Sequence, residues 1–95
     1  MLNDIESSKL ADLYKIFGDP TRLKILYALF ESKQSVSELC IKIEMSQSAT
    51  SHQLRILKDH NLVKHERSGK QMIYDLSDDH VRDILSQGLT HIRHI

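Results

Sequence analysis

The stretch Ser46-Gln47-Ser48-Ala49-Thr50-Ser51-His52-Gln53-Leu54-Arg55-Ile56-Leu57, followed by Leu62-Val63-Lys64-His65-Glu66-Arg67, Ser68-Gly69-Lys70 and Gln71-Met72-Ile73-Tyr74-Asp75-Leu76, decides the fold. Ser46 can cap a helix over about 47–59. Thr50, Leu54 and Leu57 fall at i, i+4 and i+7 and pack inward. Gln47, Ser48, Ser51, His52 and Arg55 cluster on the opposite face. The period then changes: two strand-like runs joined by a glycine-containing connection predict a β-hairpin.

Working upstream, Ser35-Val36-Ser37-Glu38 matches a capping box and opens a helix through about Ile43, with Met45-Ser46-Gln47 as a short turn. Asp19-Pro20 reads as an N-cap plus a first-turn proline. The helix it opens runs to about Glu31, with Leu23, Leu26, Ala28, Leu29 and Phe30 making it largely buried. Gly18 sits where a helix ends on a left-handed residue, and Leu10, Leu13 and Phe17 mark that helix over about 4–17. Downstream, Ser77 is expected to cap a last helix with Asp78 and Asp79 in its first turn. Val81, Ile84, Leu85, Leu89 and Ile92 are apolar at helical spacing. Four helices, a hairpin and a final helix make a mainly α winged helix-turn-helix, expected as one domain over 1–95.

Such an order sets one helix in the DNA major groove and the hairpin against the backbone. Glutamine can read adenine and arginine guanine, so the outward face from Gln47 to Arg55 suits base edges and phosphates. Lys58 and Lys64 extend it, and Arg67 and Lys70 lie at the hairpin tip, where a phosphate or minor-groove contact is expected.

Composition first argues the other way. The 95 residues carry 13 Lys+Arg against 13 Asp+Glu, and nucleic-acid binders usually show a basic surplus. The neutral total hides a division. Residues 42–72 hold Lys42, Arg55, Lys58, Lys64, Arg67 and Lys70 against Glu44, Asp59 and Glu66, a surplus of three positive charges. Residues 73–95 hold Arg82 and Arg93 against Asp75, Asp78, Asp79 and Asp83, a surplus of two negative charges. The longest apolar run, Ile25 to Phe30, is far short of the roughly 20 residues that span a bilayer. No basic cluster precedes an apolar stretch at the N-terminus, and a single cysteine makes no internal disulfide, so a cytoplasmic protein without a membrane partner is expected. With 40% apolar residues the core is thin, and a partner subunit would help.

Gly18-Asp19-Pro20-Thr21-Arg22-Leu23-Lys24-Ile25-Leu26, then Ser46 to Leu57, then Leu62-Val63-Lys64 and the Gly69 wing resemble the ArsR/SmtB family over about residues 9 to 95. Thr50 stands where that family usually has an apolar residue, and its methyl group can still pack. The resemblance implies a homodimeric winged-helix repressor that responds to metal, with duplex operator DNA as partner and no small organic substrate. It also implies that the controlled genes encode metal efflux or resistance.

The tail supplies a candidate effector site. Asp78-x-His80 is followed by His91-x-x-His94, and His91 and His94 at i, i+3 share one helix face. Eleven residues from His80 to His91 make about three turns, so both lie on nearly the same face but about 16 Å apart along the axis. Metal–nitrogen bonds are about 2 Å long, so one helix cannot bring both ends to one ion. Two copies packed antiparallel can, because the pairs 80/91 and 78/94 are both centred near Ser86. Each of two symmetric sites then takes Asp78 and His80 from one chain and His91 and His94 from the other, as a two-fold interface requires. Three imidazoles and a carboxylate suit tetrahedral Zn(II), with Co(II) as a substitute in vitro. Asp78 must lie at the helix start to point with His80, and Asp79 is the alternative carboxylate. The pattern resembles the zinc-sensing site on the family's last helix.

Glu38-Leu39-Cys40 resembles the start of the family's thiolate motif, but Lys42 stands where the second cysteine belongs; a lone thiol builds no soft sulfur site. Four closed ligands with no glutamate placed as a base argue against a hydrolytic zinc enzyme. The expected function is a repressor whose apo dimer binds an inverted repeat and whose affinity falls when Zn(II) bridges the dimer. A zinc-binding winged-helix module that docks on protein, or buffers zinc without touching an operator, is the alternative reading.

Overall fold

Five helices begin the same way, with a side-chain oxygen taking a backbone N–H that the helix itself leaves unpaired. Asn3 accepts from Glu6 at 2.7 Å, Asp19 from Arg22 at 2.9 Å, Ser35 from Glu38 at 3.1 Å, Ser46 from Ala49 at 3.1 Å, and Asp78 from Val81 at 3.2 Å. The computed structural model describes residues Met1–Ile95, and these caps open α1 (Asp4–Phe17), α2 (Pro20–Glu31), α3 (Val36–Ile43), α4 (Gln47–Asp59) and α5 (Asp79–Arg93). Between them lie β1 (Gln34–Ser35), β2 (Val63–Ser68) and β3 (Gln71–Leu76). The Ser35 capping box is complete: the Ser35 backbone N–H and then its side chain hydrogen-bond the Glu38 carboxylate and hold its pKa below the ordinary value. The stability that this adds is present above the ordinary carboxylate pKa and is lost as pH falls through the lowered one.

Two local expectations are corrected. Gly18 closes α1 with φ −76°, not in a left-handed conformation, because its N–H reaches back to the carbonyls of Tyr14 and Lys15. The left-handed cap belongs instead to Glu44, φ 57°, at the end of α3. The cap of α5 is Asp78 and not Ser77. Ser77 is already spent: its hydroxyl donates to Asn61 O at 2.6 Å and its N–H to Leu62 O at 3.1 Å, closing the corner between β3 and α5.

The sheet is antiparallel in the order β1-β3-β2. The hairpin is expected from the sequence, but its third strand is not: Gln34 and Ser35 pair with Tyr74 and Ile73. The buried Gln34 donates its side-chain amide to Ala28 O at 2.8 Å and Ser32 O at 3.3 Å, satisfying carbonyls at the end of α2. Strand register pairs Ser68 with Gln71, so the wing turns in two residues, Gly69 and Lys70, with Gly69 at φ +64°. A side chain there would be strained, whereas glycine adopts the angle freely.

Twelve buried apolar residues form the core, contributed by α2 (Ile25, Leu26, Ala28, Leu29), α3 (Leu39), α4 (Leu54, Leu57), the wing (Val63, Leu76), α5 (Val81, Leu85) and Leu62. No residue of α1 is buried; Leu13, Ile16 and Phe17 only lean against this cluster. Thr50 is fully buried within α4, and its hydroxyl has no hydrogen-bond partner. A buried unpaired hydroxyl costs about 1–3 kcal/mol, and removing it while keeping the shape recovers part of that cost. Thr50→Val is therefore expected to stabilise the protein by about 1 kcal/mol, a rise of roughly 4–8 °C in Tm for a chain of this size. Thermal unfolding followed by circular dichroism checks it, and an unchanged or lower Tm would show that the hydroxyl is satisfied.

Candidate nucleic-acid interface and metal centre

The α4 helix presents two chemistries. Thr50, Leu54 and Leu57 are buried, while Gln47, Ser48, Ser51, His52 and Arg55 are all exposed on the other side. Gln53 lies between the faces: Arg22 donates to its Oε1 at 3.4 Å and, through Nε, to Ile16 O at 3.1 Å. α4 is thereby tied to the end of α1 through α2. Lys64, Arg67 and Lys70 are exposed along β2 and the wing turn, with Lys64 on the strand face opposite His65 and Arg67.

One contact at this surface is not legible from spacing. Lys58 Nζ, at the end of α4, lies 3.2 Å from His65 Nε2 in β2. The His65 ring stands edge-on to Tyr74 of β3, with centroids 5.2 Å apart and planes at 89°. Seven residues and a change of secondary structure separate Lys58 from His65, so only the docking of wing on helix brings them together. The cluster of charged residues and histidines at the helix–wing junction (Lys58, Asp59, His60, Lys64 and His65) is the one sequence signal that could have marked them.

The candidate metal ligands sit at the two ends of α5. Asp78 is its N-cap, in an extended conformation, which turns its carboxylate toward His80: Oδ1 lies 3.5 Å from His80 Nδ1. The His80 side chain is 92% exposed and that of Asp78 53%, so both are open to a partner from outside the chain. Asp79 is the first residue of the helix proper. His91 lies in the last turn and His94 is the C-cap; both are exposed, and the His94 N–H bonds His91 O at 3.2 Å. Fifteen helical residues separate the two ends by about 22 Å. Accordingly, no group of three or more His, Cys, Asp or Glu side chains within the chain is close enough to hold an ion. Each end offers a pair of donors, imidazole and carboxylate at one and two imidazoles at the other, a combination of nitrogen and oxygen that fits a divalent ion of the zinc type. Cys40 is half-buried with no second thiol.

The start of α5 is also clamped to the rest of the fold. Arg82 donates to Phe30 O at 2.9 Å, stacks over the Phe30 ring at 5.5 Å, and holds Asp75 of β3 at 3.6 Å. Halfway along, Tyr27 of α2 donates to Leu85 O at 2.7 Å. Beyond that point α5 loses cover. An open groove of about 290 Å³ runs between α1, α2 and α5, lined by eight apolar residues that include Tyr14, Phe17, Leu23, Tyr27, Leu89 and Ile92. Ile84 and Ile92 are 38% and 62% exposed. No helix is long and apolar enough to cross a membrane.

Comparison with known proteins agrees with this fold. Residues 19–65, from the cap of α2 into β2, match the family described as "Bacterial regulatory protein, arsR family". The chain is 34% identical over 88 residues to the transcriptional repressor SmtB homolog of Synechocystis sp., covering 93% of this chain and 67% of that protein. It is 34% identical over 87 residues to the cadmium resistance transcriptional regulatory protein CadC homolog of Staphylococcus aureus, covering 90% and 72%. The solution structure of apo-NmtR, a regulator of Mycobacterium tuberculosis, superposes with a TM-score of 0.86 at 35% identity, covering 100% of this chain and 80% of that one. With two relatives above 30% identity spanning most of its length and a winged helix-turn-helix to carry the match, the chain belongs to the ArsR family of bacterial regulatory proteins, as a DNA-binding transcriptional regulator and not an enzyme.

Proposed function

We propose that the protein is a metal-responsive repressor: the metal-free homodimer binds an inverted-repeat operator, and Zn(II) bound between the two α5 helices lowers that affinity. One observation carries the reading. Asp78 and His80 converge at one end of α5, and His91 and His94 stand at the other, two donor pairs that only a second copy of the chain can bring together. The apolar groove between α1, α2 and α5 gives that second copy a reason to be there, since burying apolar surface yields about 25 cal/mol per Å². The name of the CadC homolog, a cadmium resistance regulator, supports a metal as the effector.

Within one protomer, Gln47, Ser48, Ser51, His52 and Arg55 would meet base edges and phosphates in the major groove, with Lys64, Arg67 and Lys70 of the wing on the backbone. Two protomers held by α1 and α5 would set their α4 helices one duplex turn apart, about 34–36 Å. Asp78 and His80 of one chain with His91 and His94 of the other would hold the ion. When bound, the metal supplies a crosslink between two helix ends and no catalytic step. Arg82 offers a route from that crosslink to the reading head: it fastens the first turn of α5 to Phe30 of α2 and to Asp75 of the wing. Coupling of this kind is reciprocal, so operator DNA weakens metal binding by the same free energy. The ligating imidazoles must be neutral, so metal affinity falls in acid. The chain would act as one unit over 1–95 in the cytoplasm, with the regulated genes serving metal efflux or resistance.

Two sets of variants test the reading by fluorescence anisotropy on duplex DNA from upstream of the protein's own coding sequence. His80→Ala and His91→Ala are expected to bind this DNA as the wild type does and to lose release by Zn(II); release that persists in both variants would remove the α5 site from the mechanism. His52→Ala and Arg55→Ala are expected to weaken binding about tenfold or more, as for loss of a base or phosphate contact of about 1–3 kcal/mol. Their zinc stoichiometry, measured by metal titration, should stay at the wild-type value. An unchanged affinity for DNA in both would move the reading face away from α4.

A further inference from the structure

A helix in the major groove and a hairpin over the adjoining minor groove are separated by one sugar-phosphate strand, so whatever lies in the seam between them faces that strand. In this protein the seam is a cleft of about 360 Å³ lined by Ser51, Arg55, Lys58, Asp59, His65 and Tyr74. Two permanent cations and an imidazole outnumber the single carboxylate. The Lys58–His65 contact is unusual in kind. An ammonium group has only donors, so at 3.2 Å His65 Nε2 accepts, and the ring proton sits on Nδ1. That Nδ1 is buried and has no partner. The DNA-free protein thus holds Lys58 on a neutral ring nitrogen and leaves a buried donor unmade, an arrangement that lacks the anion Lys58 would hold more strongly.

We propose that this seam is a phosphodiester-binding site, in which Lys58, beside Arg55, takes one backbone phosphate of the strand between the grooves and His65 positions Lys58 for it. His65 is fit for that role because it is held on both sides. Its backbone pairs with Tyr74 across the wing, and its ring rests edge-on against the Tyr74 ring. An exposed lysine otherwise loses much of the gain from a phosphate contact in freezing its own side chain. A lysine already aimed by an imidazole loses less. The site also fixes the wing's distance from α4, since the same two residues join β2 to the end of the helix. The inference rests on the reading that α4 and the wing bind duplex DNA.

The test uses the full chain and the same upstream duplex, now carrying a single neutral methylphosphonate at each backbone position in turn. For the wild type, several positions in each half-site are expected to weaken binding, and the one that faces the seam to do so about tenfold, the size of a charge-assisted contact. Lys58→Met is expected to bind the unmodified duplex about tenfold more weakly and to be indifferent to methylphosphonate at that position while remaining sensitive elsewhere. Its plot of log affinity against log salt should flatten by about one for each protomer bound. His65→Leu should lose affinity with the salt slope of the wild type, and His65→Gln, which restores an acceptor for Lys58, should recover most of it; thermal unfolding of each variant checks the fold. A wild-type salt slope in Lys58→Met, or an equal loss on every modified duplex, would overturn the seam site. Failure of His65→Gln to exceed His65→Leu would overturn the positioning role. A wild type that binds the unmodified duplex and releases it with Zn(II), yet shows no position coupled to Lys58, overturns the seam alone. A wild type that ignores the duplex overturns the DNA reading as well.

Discussion

Burial of one stripe of α4 is the constraint from which the rest follows. Thr50, Leu54 and Leu57 are sealed against the core, and each buried leucine is worth roughly 1.5–3 kcal/mol. A domain of this size has a total margin of about 5–15 kcal/mol. The helix therefore cannot rotate to bury another face, and the residues between the stripe positions are committed to solvent. Ser51, His52 and Arg55 are outside because their neighbours must be inside. The wing is set by the same packing. Leu62 and Val63 enter the core just after α4, so β2 leaves the helix at a fixed angle, with His65 beside the end of α4 and Lys64 on the other face of the strand.

Features that depend on neighbours in sequence were legible, and those that depend on neighbours in space were not. The capping box from Ser35 to Glu38, the Asp19-Pro20 start and the Ser46 cap are local chemistry, and all three open helices as their residues dictate. The change from helical to alternating period at Leu62 marks the hairpin for the same reason. β1 escapes because two polar residues have no period. Gln34 and Ser35 become a strand only when β3 arrives alongside them, some forty residues later in the chain. Ser77 looked like the cap of α5 because serine and aspartate serve equally well in that position. The choice fell to Asp78 through a tertiary contact, the Ser77 hydroxyl on Asn61 O. The left-handed cap at Glu44 was invisible because no glycine announced it.

The candidate sites divide along the same line. The outward polar face of α4 can be drawn from helical spacing alone. The tail pattern can be drawn from spacing plus bond lengths, and the N-cap conformation of Asp78 supplies what spacing lacks, since two residues inside a helix would point apart. Lys58 and His65 belong to different elements, and nothing in the order of residues joins them. Their contact is a product of the docking between α4 and β2, which in turn depends on the buried stripe.

The two halves of α5 differ in how they are held, and the difference bears on what a ligand across them can report. The first half is fastened to its own chain: Asp78 caps it, Val81 and Leu85 are buried, Arg82 is clamped between Phe30 and Asp75, and Tyr27 bonds Leu85 O. The second half has exposed Ile92, half-covered Leu89 and two exposed histidines, with an apolar groove beside it. Its position is set by whatever covers that groove. In the proposed dimer, a ligand held by the first half of one helix and the second half of another would therefore measure the relation between two chains, the quantity that would decide how far apart two α4 helices stand. A site assembled within one chain, on the fastened half alone, would bind an ion without sensing anything. In the proposed site, donors at opposite ends of a helix of about 22 Å would make binding and spacing the same event.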